Sequence, residues 1–175
     1  MAEVLIAVVI LVLITAGIMP AAMRAYKNAV DAANAQALLS TTVDALRGEL
    51  STAWNVKPVS GDSKAITYQS ADTGSRTKML LDSNVIMLQE YDDFDSKWFD
   101  SGATVTKAPE QRPLISEAMK KTTDNPQNSM SVVYTGIVPA AGYITITGLT
   151  VKRGDNEIAK LTADLIIRPL GGENG

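Results

Sequence analysis

The sequence contains no cysteine and no histidine, and only 5% of its residues are aromatic. Without cysteine there is no disulfide framework, no thiolate nucleophile and no cysteine-based zinc site. Without histidine the chain lacks the commonest general base and metal ligand at neutral pH. No charge of one sign dominates: Lys+Arg number 16 and Asp+Glu 19, with a pI near 5.0, so nothing draws the chain as a whole to nucleic acid. The sequence also lacks a phosphate-binding glycine loop, a Gly-x-Ser-x-Gly elbow and any internal repeat. What it does have is 46% apolar residues in 175, enough for one ordinary core and an appendage. These residues are unevenly placed.

Val4 to Met19 read VLIAVVILVLITAGIM, with Thr15 the only strongly polar side chain. The flanking charges are Glu3 and Arg24, which leaves residues 4–23 uncharged. A helix of that length spans roughly 30 Å, the thickness of a bilayer's hydrocarbon core. Membrane contact is therefore the expectation, with three fates open: a cleaved secretory signal, a permanent anchor, or a helix held in the membrane until it assembles elsewhere. The run is long for a signal core, and no basic region precedes it. Arg24 and Lys27 by themselves would place the following residues on the cytoplasmic side, an orientation that a basic leader ahead of the run would reverse.

Residues 21–54 contain no proline and are rich in alanine and leucine, so the helix is expected to continue. Leu39, Val43, Leu46, Leu50 and Trp54 recur at helical spacing and form one apolar stripe for packing on a headgroup. Asp31, Gln36, Asp44, Arg47 and Glu49 are assigned to the opposite faces. The helical rod would cover about 50 residues, or roughly 75 Å. Gly17 and Pro20 mark a local weak point in it. Glu3 is the anomaly: a carboxylate deep in apolar surroundings costs ~2–3 kcal/mol on insertion scales. It either rests at the interface near the helix N-terminus, or it is buried against a cation such as the α-amino group of a neighbouring copy.

An acidic residue, a long apolar run and a proline 17 positions after the acid resemble the start of a type IV pilin or pseudopilin. The resemblance rests on Glu3-Val4-Leu5-Ile6-Ala7 and Pro20, covers about the first 54 residues, and leaves the remainder as a variable headgroup. Only Met1 and Ala2 precede Glu3, where mature members usually have four residues, which suggests a start trimmed or set late. Members of the best-studied type close a C-terminal loop with a disulfide, which this chain cannot form. The resemblance implies a non-enzymatic subunit held in the cytoplasmic membrane before assembly and then placed in an extracellular cell-surface filament. It implies self-association as a helical homopolymer, with a prepilin peptidase and an assembly platform as partners. Glu3, Leu5, Val9, Leu13, Gly17 and Pro20 would be the assembly residues, and Ala16–Ala22 would lose helical structure on assembly.

The expected fold is α+β, with residues 1–22 an apolar, protruding helix, 23–54 an amphipathic helix, and 55–175 an antiparallel β headgroup on which the amphipathic half packs. Asn55–Ser63 reads as a linker. Ala65–Gln69, Arg76–Leu81, Val85–Tyr91, Met130–Thr135, Tyr143–Lys152 and Glu157–Arg168 read as strands, with turns at Asp82-Ser83-Asn84 and Arg153-Gly154-Asp155-Asn156. Gly148 marks a bulge, because Leu149 and Val151 are out of phase with Ile144 and Ile146. Thr104–Asn128 reads as a loop with a short helix near Leu114–Lys121.

The acids around QEYDDFDSKWFD admit two readings. Asp92, Asp93 and Asp95 would be calcium ligands, since carboxylates suit a hard cation, although Lys97 falls where an EF-hand would want a ligand. Otherwise they form a solvated hairpin tip whose charges block edge pairing. No other cofactor is expected. Two alternatives to a surface filament stand beside it: a pseudopilin of a secretion or DNA-uptake machine, and a secreted or membrane-anchored binding domain.

Overall fold

The computed structural model describes residues 2–91, 110–115, 129–140 and 142–170. One helix, α1 (Ala2–Ser51), is followed by antiparallel strands, so the α+β class expected from the sequence holds. The chain divides into two compact units, Met1–Asn34 and Ala35–Gly175. The first is helix alone. The second holds the last turns of α1 and all the strands.

The strands form three sheets. β1 (Trp54–Val59), β2 (Asp62–Gln69), β3 (Arg76–Asp82), β4 (Val85–Tyr91) and β5 (Glu110–Pro113) lie side by side in sequence order. β6 (Met130–Val133) pairs with β9 (Thr150–Arg153), which pairs with β10 (Asn156–Lys160). β7 (Gly136–Ala140) pairs with β8 (Tyr143–Thr147), which pairs with β11 (Leu165–Ile167).

Within the second unit the core has a helical spine. Ala35, Leu38, Leu39, Thr42, Leu46 and Leu50 are buried along one side of α1, and one apolar cluster joins the apolar members of that row to Ile66, Tyr68, Met79, Leu88, Ile144 and Ile146. The sheets meet this spine by strict alternation: Ile86 and Leu88 in β4, Met130 and Val132 in β6, Ile144 and Ile146 in β8 are the buried members of their strands.

The apolar stripe differs from its expected form at two places. Leu39, Leu46 and Leu50 are buried and Val43 is half-buried, but Trp54 is 53% exposed. The helix stops at Ser51, and Trp54 opens β1, so helical periodicity no longer decides where its side chain falls. The stop is capped from a distance, because the Leu170 amide donates to the Ser51 carbonyl at 2.8 Å.

Other expectations are corrected in the same way. Asn55–Ser63 is not a linker: most of it is β1, and Gly61, at φ 83°, turns the chain directly into β2. Glu110–Pro113, expected as loop, is an edge strand paired with β4. Residues 116–121 of the expected short helix lie outside the described residues, while Leu114 and Ile115 form a bend. β7 was not anticipated, and its Pro139 is tolerated because β7 is the edge of its sheet. Hairpin β3–β4 turns as expected on Ser83 and Asn84, both at positive φ, with Asp82 opposite Val85.

Tyr143–Lys152 and Glu157–Arg168 are each two strands rather than one. The chain leaves one sheet and enters another at Gly148, and crosses back between Leu161 and Asp164, where Ala163 is exposed. Gly148 sits at φ 63°, and a Cβ there would lie 2.5 Å from Thr135 Oγ1. The change of sheet is why Ile144, Ile146, Leu149 and Val151 are all buried despite their broken alternation.

Gly148→Ala is therefore expected to destabilise the second unit by roughly 2–3 kcal/mol, left-handed strain plus a displaced Thr135. Gly154→Ala, at φ 58° with nothing within 4 Å, should cost only the strain, about 1 kcal/mol. Urea unfolding of the two variants of the full chain in mild detergent checks the difference.

Candidate functional site

Two places in the molecule carry more than packing. The first is the N-terminal unit. Val4, Leu5, Ile6, Val8, Val9, Ile10, Leu11, Val12, Ile18 and Met19 are 49–67% exposed. At roughly 1 kcal/mol for the open part of each side chain, water contact costs this segment on the order of 10 kcal/mol. That is comparable to the net stability of a whole domain, so contact of this segment with water is strongly unfavourable. The helix is long and apolar enough to cross a membrane.

Among the assembly residues proposed from the sequence, Glu3, Leu5, Val9, Gly17 and Pro20 all lie on this exposed helix. Leu13 lies on it too, but its side chain is outside the described residues. Pro20 stands inside an unbroken helix, and its missing N–H leaves the Ala16 carbonyl without a helical partner. Thr15 Oγ1 donates to the Leu11 carbonyl at 2.5 Å, which satisfies the run's one strongly polar side chain internally.

The second place is a polar cluster at the other end of α1. Tyr68 and Thr77 are directly opposite in β2 and β3, and Thr77 is opposite Glu90 in β4. Over this row the Tyr68 hydroxyl donates to Glu49 Oε1 at 2.8 Å. Arg112, on edge strand β5, donates from Nε to Glu90 Oε1 at 2.6 Å, and its Nη2 lies 3.6 Å from Glu49 Oε2. The Glu49 and Glu90 side chains are only 8% and 16% exposed. One guanidinium thus holds two sequestered carboxylates, one from the helix and one from the sheet. Ion pairing with Glu90 raises the Arg112 pKa further.

Sequence reasoning placed Glu49 on the outward face and did not single out Arg112. The partner that draws Glu49 inward is 63 positions away (112 − 49), and no local pattern announces it. Glu90, grouped by sequence with the acids that follow it, is committed to Arg112. Asp92, Asp93 and Asp95 lie outside the described residues. Among the described residues no three acidic side chains come together as metal ligands.

A shallow cleft lined by Leu38, Asn84, Val85, Ile86, Ile115 and Val132 contains no ionisable group. Ile166 and Val138, on either side of Thr145, stand exposed on the outer face of the β7–β8–β11 sheet, and Arg168 lies 5.9 Å from the Tyr143 ring centroid.

No family model matches the chain, and neither curated proteins nor solved structures provide a match.

Burial, and then the Glu49 carboxylate, push the Tyr68 hydroxyl far above the ordinary tyrosine range. Burial also raises Tyr134, whose hydroxyl donates to the Lys64 carbonyl at 2.7 Å. Both stay protonated in the fold while the unfolded chain ionises near its ordinary value of about 10. Their stabilisation is complete below pH ~10 and declines above it, by about 1.4 kcal/mol per pH unit for each. Tyr68→Phe should flatten this alkaline decline by one proton's worth in thermal melts from pH 8 to 11. Arg112→Leu, which strands both carboxylates, should cost about 1–2 kcal/mol at pH 7 in the same assay, a figure reduced for the partial exposure of the guanidinium.

Proposed function

We propose that this chain is a structural subunit of a type IV pilus-like surface filament, held in the membrane by its apolar helix and then polymerised through it. One observation carries the reading: an uncharged helix of membrane-spanning length, exposed along its described side chains, continues without a break into the helix that forms the spine of a β headgroup. A helix that only tethers a domain needs no such continuity. The position of Glu3 before the run and of Pro20 within it supports the reading further, through the resemblance to pilins.

In this mechanism the apolar helices of many copies bury one another, and the headgroups tile the outside. Burial of apolar area supplies the driving force. A filament requires contacts that do not close, so one surface of a copy meets a different surface of the next. A pseudopilin would use the same helix in a short, cell-bound assembly. An anchored binding domain would use it only as a tether.

Mass spectrometry of the N-terminus, on protein from native cells and from material sheared off their surface, separates these outcomes. The filament reading expects residues 3–23 retained and the protein abundant in the sheared fraction. Retention with no sheared material favours a pseudopilin. A chain beginning near Met23 defeats both. Glu3→Ala should abolish or disorder the filaments while leaving the headgroup folded, and ordinary filaments from that variant would count against the mechanism.

A further inference from the structure

The five-stranded sheet turns one side to the core and carries a basic, aromatic strip on the other. Directly paired residues of adjacent strands share a face. Ile66 and Tyr68 of β2, Met79 of β3 and Leu88 of β4 lie in the core, so the residues that alternate with them form the outer side. The register lays two rows across that side. One runs Trp54–Gln69–Arg76–Tyr91 through β1 to β4, and the next runs Lys57–Thr67–Lys78–Gln89–Gln111 through β1 to β5. The two rows hold three cations and no acid, in a chain whose acids outnumber its bases by 19 to 16.

Aromatic rings stand at both ends of the first row. Trp54, on edge strand β1, is 53% exposed. Tyr91 lies three strand spacings away, or ~14 Å. Its hydroxyl donates to Gln89 Oε1 at 3.3 Å, which lays the half-exposed ring along the sheet between the rows. Arg76 stands between the two rings, and Lys78 follows it on β3 at ~7 Å. Lys57 and Gln111 are exposed on the two edge strands.

We propose that this face binds single-stranded nucleic acid, with bases stacked on Trp54 and Tyr91 and phosphates held by Lys57, Arg76 and Lys78. Charge complementarity selects a polyanion. Cations interleaved with flat rings on an open sheet select one whose bases are free to stack, which a duplex does not offer. The Gln89 and Gln111 amides add uncharged hydrogen-bonding groups suited to base edges. The net charge of −3 on the whole chain confines the attraction to this strip. The proposal uses the second unit alone and holds whether or not the N-terminal helix polymerises.

The test titrates the full chain, in non-ionic detergent, into a labelled single-stranded oligothymidylate. Affinity should fall with salt along a log–log slope of about −2, from three phosphate contacts at about 0.7 each. Lys57→Gln with Lys78→Gln should bring the slope to about −0.7. In Trp98→Phe, which leaves Trp54 as the only tryptophan, the oligonucleotide should quench the remaining fluorescence. Trp54→Leu should weaken binding at least about fivefold through lost stacking, with thermal melts showing the variants folded. No binding by the wild-type chain, or a salt slope near zero, would overturn the proposal. Equal affinity for polyglutamate would show a face that reads charge alone, and tighter binding of the matched duplex would show one that does not need free bases; either result defeats it. These comparisons are read on the wild-type chain, so they stand even where a variant fails to fold.

Discussion

A single helix has to satisfy two different surroundings, and the rest of the molecule follows from how it does so. Over residues 4–23 α1 carries no charge, and its described side chains are exposed, so it has no face to offer water. From Ala35 onward it is one-sided, with Ala35, Leu38, Leu39, Thr42, Leu46 and Leu50 buried and Gln36, Asp44 and Arg47 outside. The first stretch carries an exposure cost on the order of a domain's whole stability, which no loop or strand in its own unit offsets. The second stretch supplies the long central surface that lets three small sheets, two of them three-stranded, share one core.

Small sheets need corners, and the corners explain the turn chemistry of the headgroup. Gly148 lets one continuous segment serve two sheets, because only a residue without Cβ can pass Thr135 at that φ. The polar cluster acts differently. Tyr68, Glu49, Arg112 and Glu90 join the end of α1 to strands β2, β4 and β5 through directional contacts. Sequestered ion pairs of this kind add little net stability over apolar packing but penalise every arrangement that separates them.

Legibility in the sequence followed how local each cause was. Strand β4 was read to the residue, since Val85–Tyr91 alternates cleanly and Ser83-Asn84 is a turn in its own right. β1 was hidden by Pro58, Ser60 and Gly61, which signal a turn while the first of them sits in a strand. β5 has a polar run of Glu110, Gln111 and Arg112, and it is a strand only because β4 is beside it. On the helix, Leu39, Leu46 and Leu50 announced themselves, whereas Ala35 and Thr42 are buried in spite of being small or polar. Trp54 was misplaced by extending a helical period three residues past the end of the helix. The apolar segment was fully legible because its cause is composition. The Glu49–Arg112 contact was not, because its cause is tertiary.

Where α1 packs on the sheets, from Ala35 onward, it faces a plain physical difficulty. Contacts among leucine, isoleucine, valine and alanine are strong in sum and indifferent to position, so they fasten a helix without fixing where it stops sliding. Against its own sheets, α1 is indexed by Glu49, a carboxylate that finds its hydroxyl and guanidinium partners in one alignment. A shift by one turn would leave Glu49 among apolar side chains and Arg112 with one carboxylate fewer. Glu3, at the head of the uncharged run, is an exposed acid of the other unit. In the second unit the apolar row of α1 supplies the burial and the Glu49 contacts the alignment, and neither could supply the other's part.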